Sequence, residues 1–274
     1  MNMMKTELLS ILPPRYRTYL SPERLAELQE IRMRLGRPVM LVGKSGIQKL
    51  EPTVSGEDLR FCVNAASHYS PWNATSIHSG YLTAPGGHRI GVCGISAGDR
   101  LQSLTSICIR VAKDLSGIAD HLMLRDSALI LGPPGSGKTT LLRDLIRRLS
   151  ARERGSIAVV DERCEIFPLN QGQICFDTGL CTDVLSGRDK ASGIESVLRS
   201  MGPAWIAVDE ITAQSDCEAL IRAGWCGVKL LATAHASGIE DLQRREIYRP
   251  LAESGLFRSA IVMHPDKTCH QERI

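Results

Sequence analysis

Residues 129–145 read LILGPPGSGKTTLLRDL, and no other stretch limits the possible folds of this chain as much. A short apolar run comes first, then a loop with three glycines, then Lys138, Thr139 and Thr140 at the head of a helix-forming segment. Gly132, Pro133, Pro134, Gly135, Ser136, Gly137, Lys138 and Thr139 satisfy G-x-x-x-x-G-K-[ST] at every position, after a strand and before a helix as the motif requires. Gly135 and Gly137 permit backbone conformations that turn successive N–H groups toward one point, and the positive end of the helix beginning near Lys138 is added there. Such a cradle suits a β-phosphate, with Lys138 between β- and γ-phosphate oxygens and the Thr139 hydroxyl on Mg²⁺. The expected ligands are therefore ATP and Mg²⁺, with residues 132–140, Thr140 included, around the phosphates.

A phosphate cradle alone serves kinases, GTPases and ATPases, so the later strands must decide. AWIAVDE, residues 204–210, is an apolar strand that ends in Asp209 and Glu210. Asp209 is expected to hold Mg²⁺ through water and Glu210 to polarise the attacking water as general base. Between the loop and this strand lies IAVVDE, which also ends in paired acids, Asp161 and Glu162. An extra strand at this point, with a Glu directly after the metal-binding Asp, favours an ATPase, and no guanine-reading N-K-x-D motif is present. Asp161 and Glu162 have two readings: a solvated strand end or cap, or a metal position for Asp161 beside a catalytic Glu162. LLATAHASG supplies a further strand with Thr233 and His235 at its carboxyl end, where His235 is placed to sense a γ-phosphate.

The strand-like runs 127–131, 157–160, 204–208, 229–234 and 260–263 alternate with helical stretches at 138–150, 190–200, 215–223 and 239–245. Short apolar strands joined by helices predict a parallel sheet covered on both faces, with ligands at the carboxyl ends of its strands. Ahead of it, residues 1–120 read as a smaller mixed α+β domain. Helical stretches are expected around 4–12 and 22–29, with strands on either side of a turn at Gly36. Ser55 and Asp58 are spaced as a helix N-cap, and Pro85-Gly86-Gly87 marks a turn between strands. The predicted organisation is thus residues 1–120 followed by an α/β ATPase domain over 121–274.

Composition removes several classes. Lys and Arg number 15 against 11 Asp and Glu in residues 1–126, and 18 against 19 thereafter, so neither part is basic enough to argue for nucleic acid. The nine cysteines are an odd number without a C-x-x-C pair, which reads as buried thiols in a reducing compartment. The first 20 residues carry Glu7, Pro13 and Pro14 and fit a secretory signal poorly. No window approaches the ~20 apolar residues of a membrane span, so a cytoplasmic location is expected, with any membrane association made through partners.

Four motifs in order, the glycine loop, VVDERCEI at 159–166, LRSMGPAWIAVDEI at 198–211 and LLATAHASG at 230–238, resemble those of the secretion-type ATPases of bacterial type II and type IV systems. They look most like the sporulation branch of that superfamily, found in endospore formers. The resemblance implies a RecA-like ATPase domain behind a smaller N-terminal domain, a homo-hexameric ring, and a membrane-embedded channel between mother cell and forespore as its partner. It also implies that Glu162 and Glu165 lie near metal and water, that Glu210 is the catalytic acid, and that His235 is the conserved-motif histidine. Arginines of the N-terminal domain complete the site in such ATPases; Arg89 and Arg110 match best, the alternative for each being an outward-facing strand arginine. The chain departs in having Asp209 where secretion ATPases commonly have Gly, and in lacking long N-terminal extensions and a four-cysteine metal insert.

Two other functions remain open at this level. One is a nucleic-acid-linked ATPase, although only HPDKTCHQERI follows the last core strand, so no added binding domain is expected. The other is a nucleotide-dependent scaffold with little turnover, disfavoured by the intact Lys138, Asp209 and Glu210.

Overall fold

The computed structural model describes residues 3–67, 81–97, 100–152 and 156–274. They form two compact units, one of residues 1–113 and 168–176, the other of 114–167 and 177–274. The division thus falls before the boundary expected near residue 120, and a short segment of the second half belongs to the first unit.

In the first unit, helices α1 (Met3–Ser10), α2 (Pro14–Arg17) and α3 (Pro22–Glu27) precede strands β1 (Leu28–Arg34), β2 (Pro38–Gly43) and β3 (Gly46–Thr53). Helix α4 (Gly56–Ala66) and strands β4 (Tyr81–Thr83), β5 (Arg89–Ala97) and β6 (Arg100–Arg110) follow. The sheet order is β3-β2-β1-β6-β5-β4, antiparallel throughout. Strand alternation puts Ile31 opposite Leu41 and Ile109, and Met33 opposite Ile107, on the buried face with Leu59 and Cys62 of α4. Glu30, Arg32 and Arg34 alternate onto the other face. Ser55 and Asp58 close a reciprocal capping box on α4, with Ser55 Oγ accepting from Asp58 N at 3.2 Å and Asp58 accepting from Ser55 N at 2.7 Å. The helix expected over 22–29 stops at Glu27, because Leu28 pairs with Gly43 and starts β1; cross-strand pairing overrides helical periodicity there.

The second unit contains β7 (Ala128–Leu131), α5 (Lys138–Arg152) and β8 (Ile157–Asp161). The chain then adds the hairpin β9 (Leu169–Asn170) and β10 (Gln173–Ile174) to the first unit. It returns with β11 (Thr182–Ser186), α6 (Lys190–Met201), β12 (Trp205–Val208), α7 (Gln214–Trp225) and β13 (Lys229–Ala234). Helices α8 (Ile239–Arg244) and α9 (Arg249–Glu253) and strands β14 (Ser259–Met263) and β15 (Cys269–Arg273) complete it. The sheet runs β11-β8-β12-β13-β7-β14-β15, parallel except for the antiparallel edge β15. Strands β7, β8, β12 and β14 are buried at every position, as continuous apolar strands between two helical layers must be. Their carboxyl ends share one edge, so Asp161, Asp209, His235 and the glycine loop converge there despite sequence separations of up to about a hundred residues.

Candidate active site

The loop after β7 has Gly135 at φ +76° and Gly137 at φ +100°, left-handed conformations that non-glycine residues adopt at a cost. Gly132 is required for a different reason. A Cβ there would stand 2.9 Å from the Met263 carbonyl oxygen and 2.7 Å from Ser136 Oγ. Ser136 Oγ is itself buried with no hydrogen-bond partner, a polar atom left for something the loop encloses.

Lys138 is the first residue of α5, and its side chain folds back into the loop. Its Nζ donates to the carbonyls of Gly132 and Pro133, each at 3.0 Å, and stands 3.1 Å from His235 Nδ1. Burial pushes the Lys138 ammonium below its ordinary pKa, while Asp209 and Glu210 act in the opposite direction. With Lys138 donating to Nδ1, the proton of a neutral His235 sits on Nε2, which is 3.1 Å from Glu210 Oε1. A chain Lys138–His235–Glu210 therefore spans the carboxyl ends of β13 and β12.

Asp209 is held from both sides. Thr139 Oγ1 donates to one carboxylate oxygen at 2.7 Å and Thr233 Oγ1 to the other at 2.6 Å. Thr233, fully buried on β13, also accepts the Glu210 N–H at 2.7 Å. Glu210 has φ +43°, an uncommon left-handed conformation for a residue with a Cβ. One threonine thus fixes the carboxylate before it and the backbone of the glutamate after it. Thr233 was visible in the sequence at the right strand end, but nothing local reveals its hydrogen bonds across the sheet.

Asp161, expected at a metal position, turns its carboxylate onto the loop that follows it. Its carboxylate is buried and accepts three backbone N–H groups, from Glu165 at 2.9 Å, Ile166 at 3.0 Å and Phe167 at 2.8 Å. Burial raises its pKa while those bonds oppose the rise. Through these three bonds Asp161 organises the loop that carries Glu165. Arg143 of α5, unrecognised in the sequence, holds the same loop from outside: its guanidinium donates to the Ile166 carbonyl at 2.5 Å and to the Glu165 carbonyl at 3.1 Å. Burial brings Arg143 down to about 10. Glu162 is tied to Lys190 Nζ at 2.6 Å, at the start of α6.

Pro134–Leu141, Glu165, Asp209, Glu210 and His235 line one cavity of 820 Å³ in the second unit. That is ample for a nucleotide. Glu162 lines a much smaller cavity with Asp161 and Lys190, and Glu165, Asp209 and Glu210 border both that cavity and the large one. Arg89 and Arg110 belong to the first unit, directly opposite each other on β5 and β6. Arg89 stacks 3.7 Å from the Tyr81 ring centroid, and Arg110, 68% exposed in its side chain, reaches Glu30 only at 3.9 Å. Among the described residues no cluster of three or more His, Cys, Asp or Glu has metal-binding geometry, and no helix is long and apolar enough to cross a membrane.

The family profile "Sporulation stage III, protein AA" matches residues 2–272. The chain belongs to this family. Stage III sporulation protein AA of Bacillus subtilis is 35% identical over 270 residues, which is 92% of this chain and 88% of that protein. Among solved structures, the pilus retraction motor PilT with bound ADP superposes with a TM-score of 0.66 at 17% identity, covering 91% of this chain and 77% of that one. The Legionella pneumophila ATPase DotB gives 0.59 at 17% identity, covering 95% and 80%. At such identities the likeness concerns the fold: this member of the stage III sporulation protein AA family has the RecA-like fold of the secretion ATPases, as its motifs led one to expect.

Proposed function

We propose that the chain is a Mg²⁺-dependent ATPase whose turnover drives or assembles a channel during spore formation. The observation that carries the reading is the Thr139–Asp209 hydrogen bond beside the Lys138–His235–Glu210 chain at the mouth of the glycine loop. The residues fit ATP and Mg²⁺: the loop has the two left-handed glycines and an orphaned buried hydroxyl, and hard oxygen donors from Thr139 and Asp209 meet beside it. Thr139 and Asp209 would hold the ion, Asp209 through water, and residues 132–140 the phosphates. Bound Mg²⁺ supplies neutralisation of charge on the phosphate oxygens.

The chain's own groups do the rest. Lys138 exchanges two loop carbonyls and the His235 ring for phosphate oxygens when nucleotide enters. Glu210 takes the proton of the attacking water, and His235, hydrogen-bonded to its carboxylate, orients it and registers whether Lys138 is engaged. The membership in a sporulation family and the secretion-ATPase fold support work at a membrane channel through protein partners, from the cytoplasmic side. The same fold supports a homo-hexamer, in which Arg110 or Arg89 would reach a neighbouring subunit's phosphates; the exposure of Arg110 is in keeping with that. Glu162 and Glu165 retain supporting roles near the site.

Turnover measured against protein concentration tests the reading, with mass followed by light scattering and parallel samples containing single-stranded DNA. A specific rate that rises as hexamers form, indifferent to DNA, supports it. Lys138→Ala should abolish nucleotide binding, and Glu210→Gln should bind ATP while turning over at least about a hundredfold more slowly, the usual scale for loss of a general base. Wild-type turnover in Glu210→Gln, or turnover that depends on DNA, would refute the proposal.

A further inference from the structure

Lys190 breaks two local preferences at one position. It is the first residue of α6, where the positive end of the helix dipole disfavours a cation, and it is only 4% exposed although lysine is rarely buried. The helix has its cap without it, since Asp189 accepts the Ser192 N–H at 3.0 Å. An apolar side chain would serve folding at least as well as a buried ion pair. Positions that break local rules are where function is to be sought, and this one borders the acids of the site.

Lys190 Nζ meets Glu162 at 2.6 Å, and both line the small cavity of about 20 Å³ with Glu165, Asp209 and Glu210. The sheet brings these acids together. Val160 on β8 lies opposite Val208 on β12, so Asp161–Glu162 and Asp209–Glu210 leave adjacent strands level with each other, about 4.8 Å apart. Arg163 also lines the cavity but is exposed, so the buried cation there is Lys190. We propose that this cavity holds one water, which accepts from Lys190 Nζ and donates to the Glu210 and Asp209 carboxylates, and that Lys190 is thereby a positioning residue for the general base. The proposal rests on the reading of Glu210 as that base and adds what holds its carboxylate from the side of the small cavity.

Volume and donor count lead to the same occupant. A water needs about 10–15 Å³ and about two to four polar partners, so the cavity suits one. Ionised carboxylates only accept hydrogen bonds, so acids around a common space cannot bond one another. A water reconciles them by donating twice, and it then needs a donor for its own oxygen. The Lys190 ammonium carries three N–H groups, of which the bond to Glu162 uses one. Glu210 Oε1 is met by His235 Nε2 at 3.1 Å, and the Glu210 N–H donates to Thr233 Oγ1 at 2.7 Å. The water adds a third hold on this residue. A catalytic group held in place keeps its rate, whereas about 1 Å of misplacement costs up to about a hundredfold.

Lys190→Met, close to lysine in size, tests this in the full-length chain. The Glu162 side chain is 38% exposed and can take solvent in place of the ammonium, so the urea midpoint should stay within about 0.5 M of wild type. The kcat should fall by about tenfold or more while the KM for ATP stays within about twofold, as when an interaction made in the transition state is lost and binding is kept. A crystal structure of the unliganded wild type, at a resolution that orders waters, should show a water within about 3.2 Å of both Lys190 Nζ and a Glu210 oxygen. The same crystal form of Lys190→Met should lack it. The wild-type crystal tests the water even if the variant does not fold. A wild-type cavity without that water, a variant with wild-type kcat, or a raised KM at unchanged kcat would overturn the inference; turnover by the wild type and its loss in Glu210→Gln would still leave the ATPase reading standing. If the wild type neither binds nor hydrolyses ATP, that reading fails and the role of Lys190 with it.

Discussion

Asp161→Ala separates a structural aspartate from a metal ligand. The substitution removes an acceptor from the N–H groups of Glu165, Ile166 and Phe167, two of them in buried surroundings. A hydrogen bond to a charged partner contributes about 1.5 kcal/mol or more, so three would amount to about 4–5 kcal/mol. Part of this is offset, because the carboxylate is itself buried and burial already raises its pKa. A net loss of about 3–4 kcal/mol is expected for the second unit, within the range of the larger single-residue effects. With a urea dependence of about 2 kcal/mol per molar, the midpoint should fall by about 1.5–2 M. Emission from Trp205, fully buried beside β8 on the neighbouring β12, reports this unit. The melt is repeated with and without Mg²⁺, and Mg²⁺ affinity of the nucleotide complex is measured below the transition. A variant that keeps the wild-type midpoint but loses Mg²⁺-dependent affinity would restore Asp161 to the metal and refute the reasoning.

Thr233→Val leaves the Glu210 N–H unpaired and frees Asp209 on one side; a stability loss of about 2 kcal/mol is expected, with turnover falling by about tenfold or more and nucleotide affinity little changed. Equal turnover in variant and wild type would show that Glu210 is positioned by other contacts. Gly193→Ala on α6 would set a Cβ 2.5 Å from Val160 Cγ1 on β8, so a loss of about 1–3 kcal/mol is expected despite the better helix former. Adding Val160→Ala should recover part of it in a double-mutant cycle, and strict additivity would exclude that contact as the cause. At high pH the first unit should weaken. Burial pushes the Cys62 thiol and the Tyr16 phenol, which lies beside Asp58, each up to about 12 from ordinary values of 9.0 and 10.0. Both folded-state values are raised, so this stabilisation is complete below pH 9 and is lost as pH rises toward 12. Tyr16→Phe should flatten the urea-midpoint profile above pH 10 and leave the part below it; an unchanged profile would show that Tyr16 does not titrate with folding.

The glycine loop, the two Asp-Glu strand ends and the five parallel strands were legible in the sequence because each is a local pattern. The phosphate motif occupies eight consecutive residues, and a buried parallel strand declares itself as a short apolar run. Strand β11 was less visible: TDVLS is only partly buried at the sheet edge and carries a mixed pattern. The hairpin β9–β10 was invisible for another reason, since two-residue strands have no period to read and this pair joins the first unit. Strand β15, polar and exposed along most of its length, is the edge strand beside β14.

The sequence alone determined that a strand, a glycine loop and a helix would form a phosphate cradle, and that acids and a histidine would end neighbouring strands. Backbone freedom at glycine and the period of apolar residues act within a few positions, so they survive in a one-dimensional reading. Only the tertiary structure decided what the polar groups do. Asp161 and Asp209 end similar apolar strands, yet one is spent on three loop N–H groups and the other meets two threonine hydroxyls, from α5 and β13. A carboxylate takes the role of whichever donors the fold brings within about 3 Å, and those donors come from segments that only the packed sheet places together.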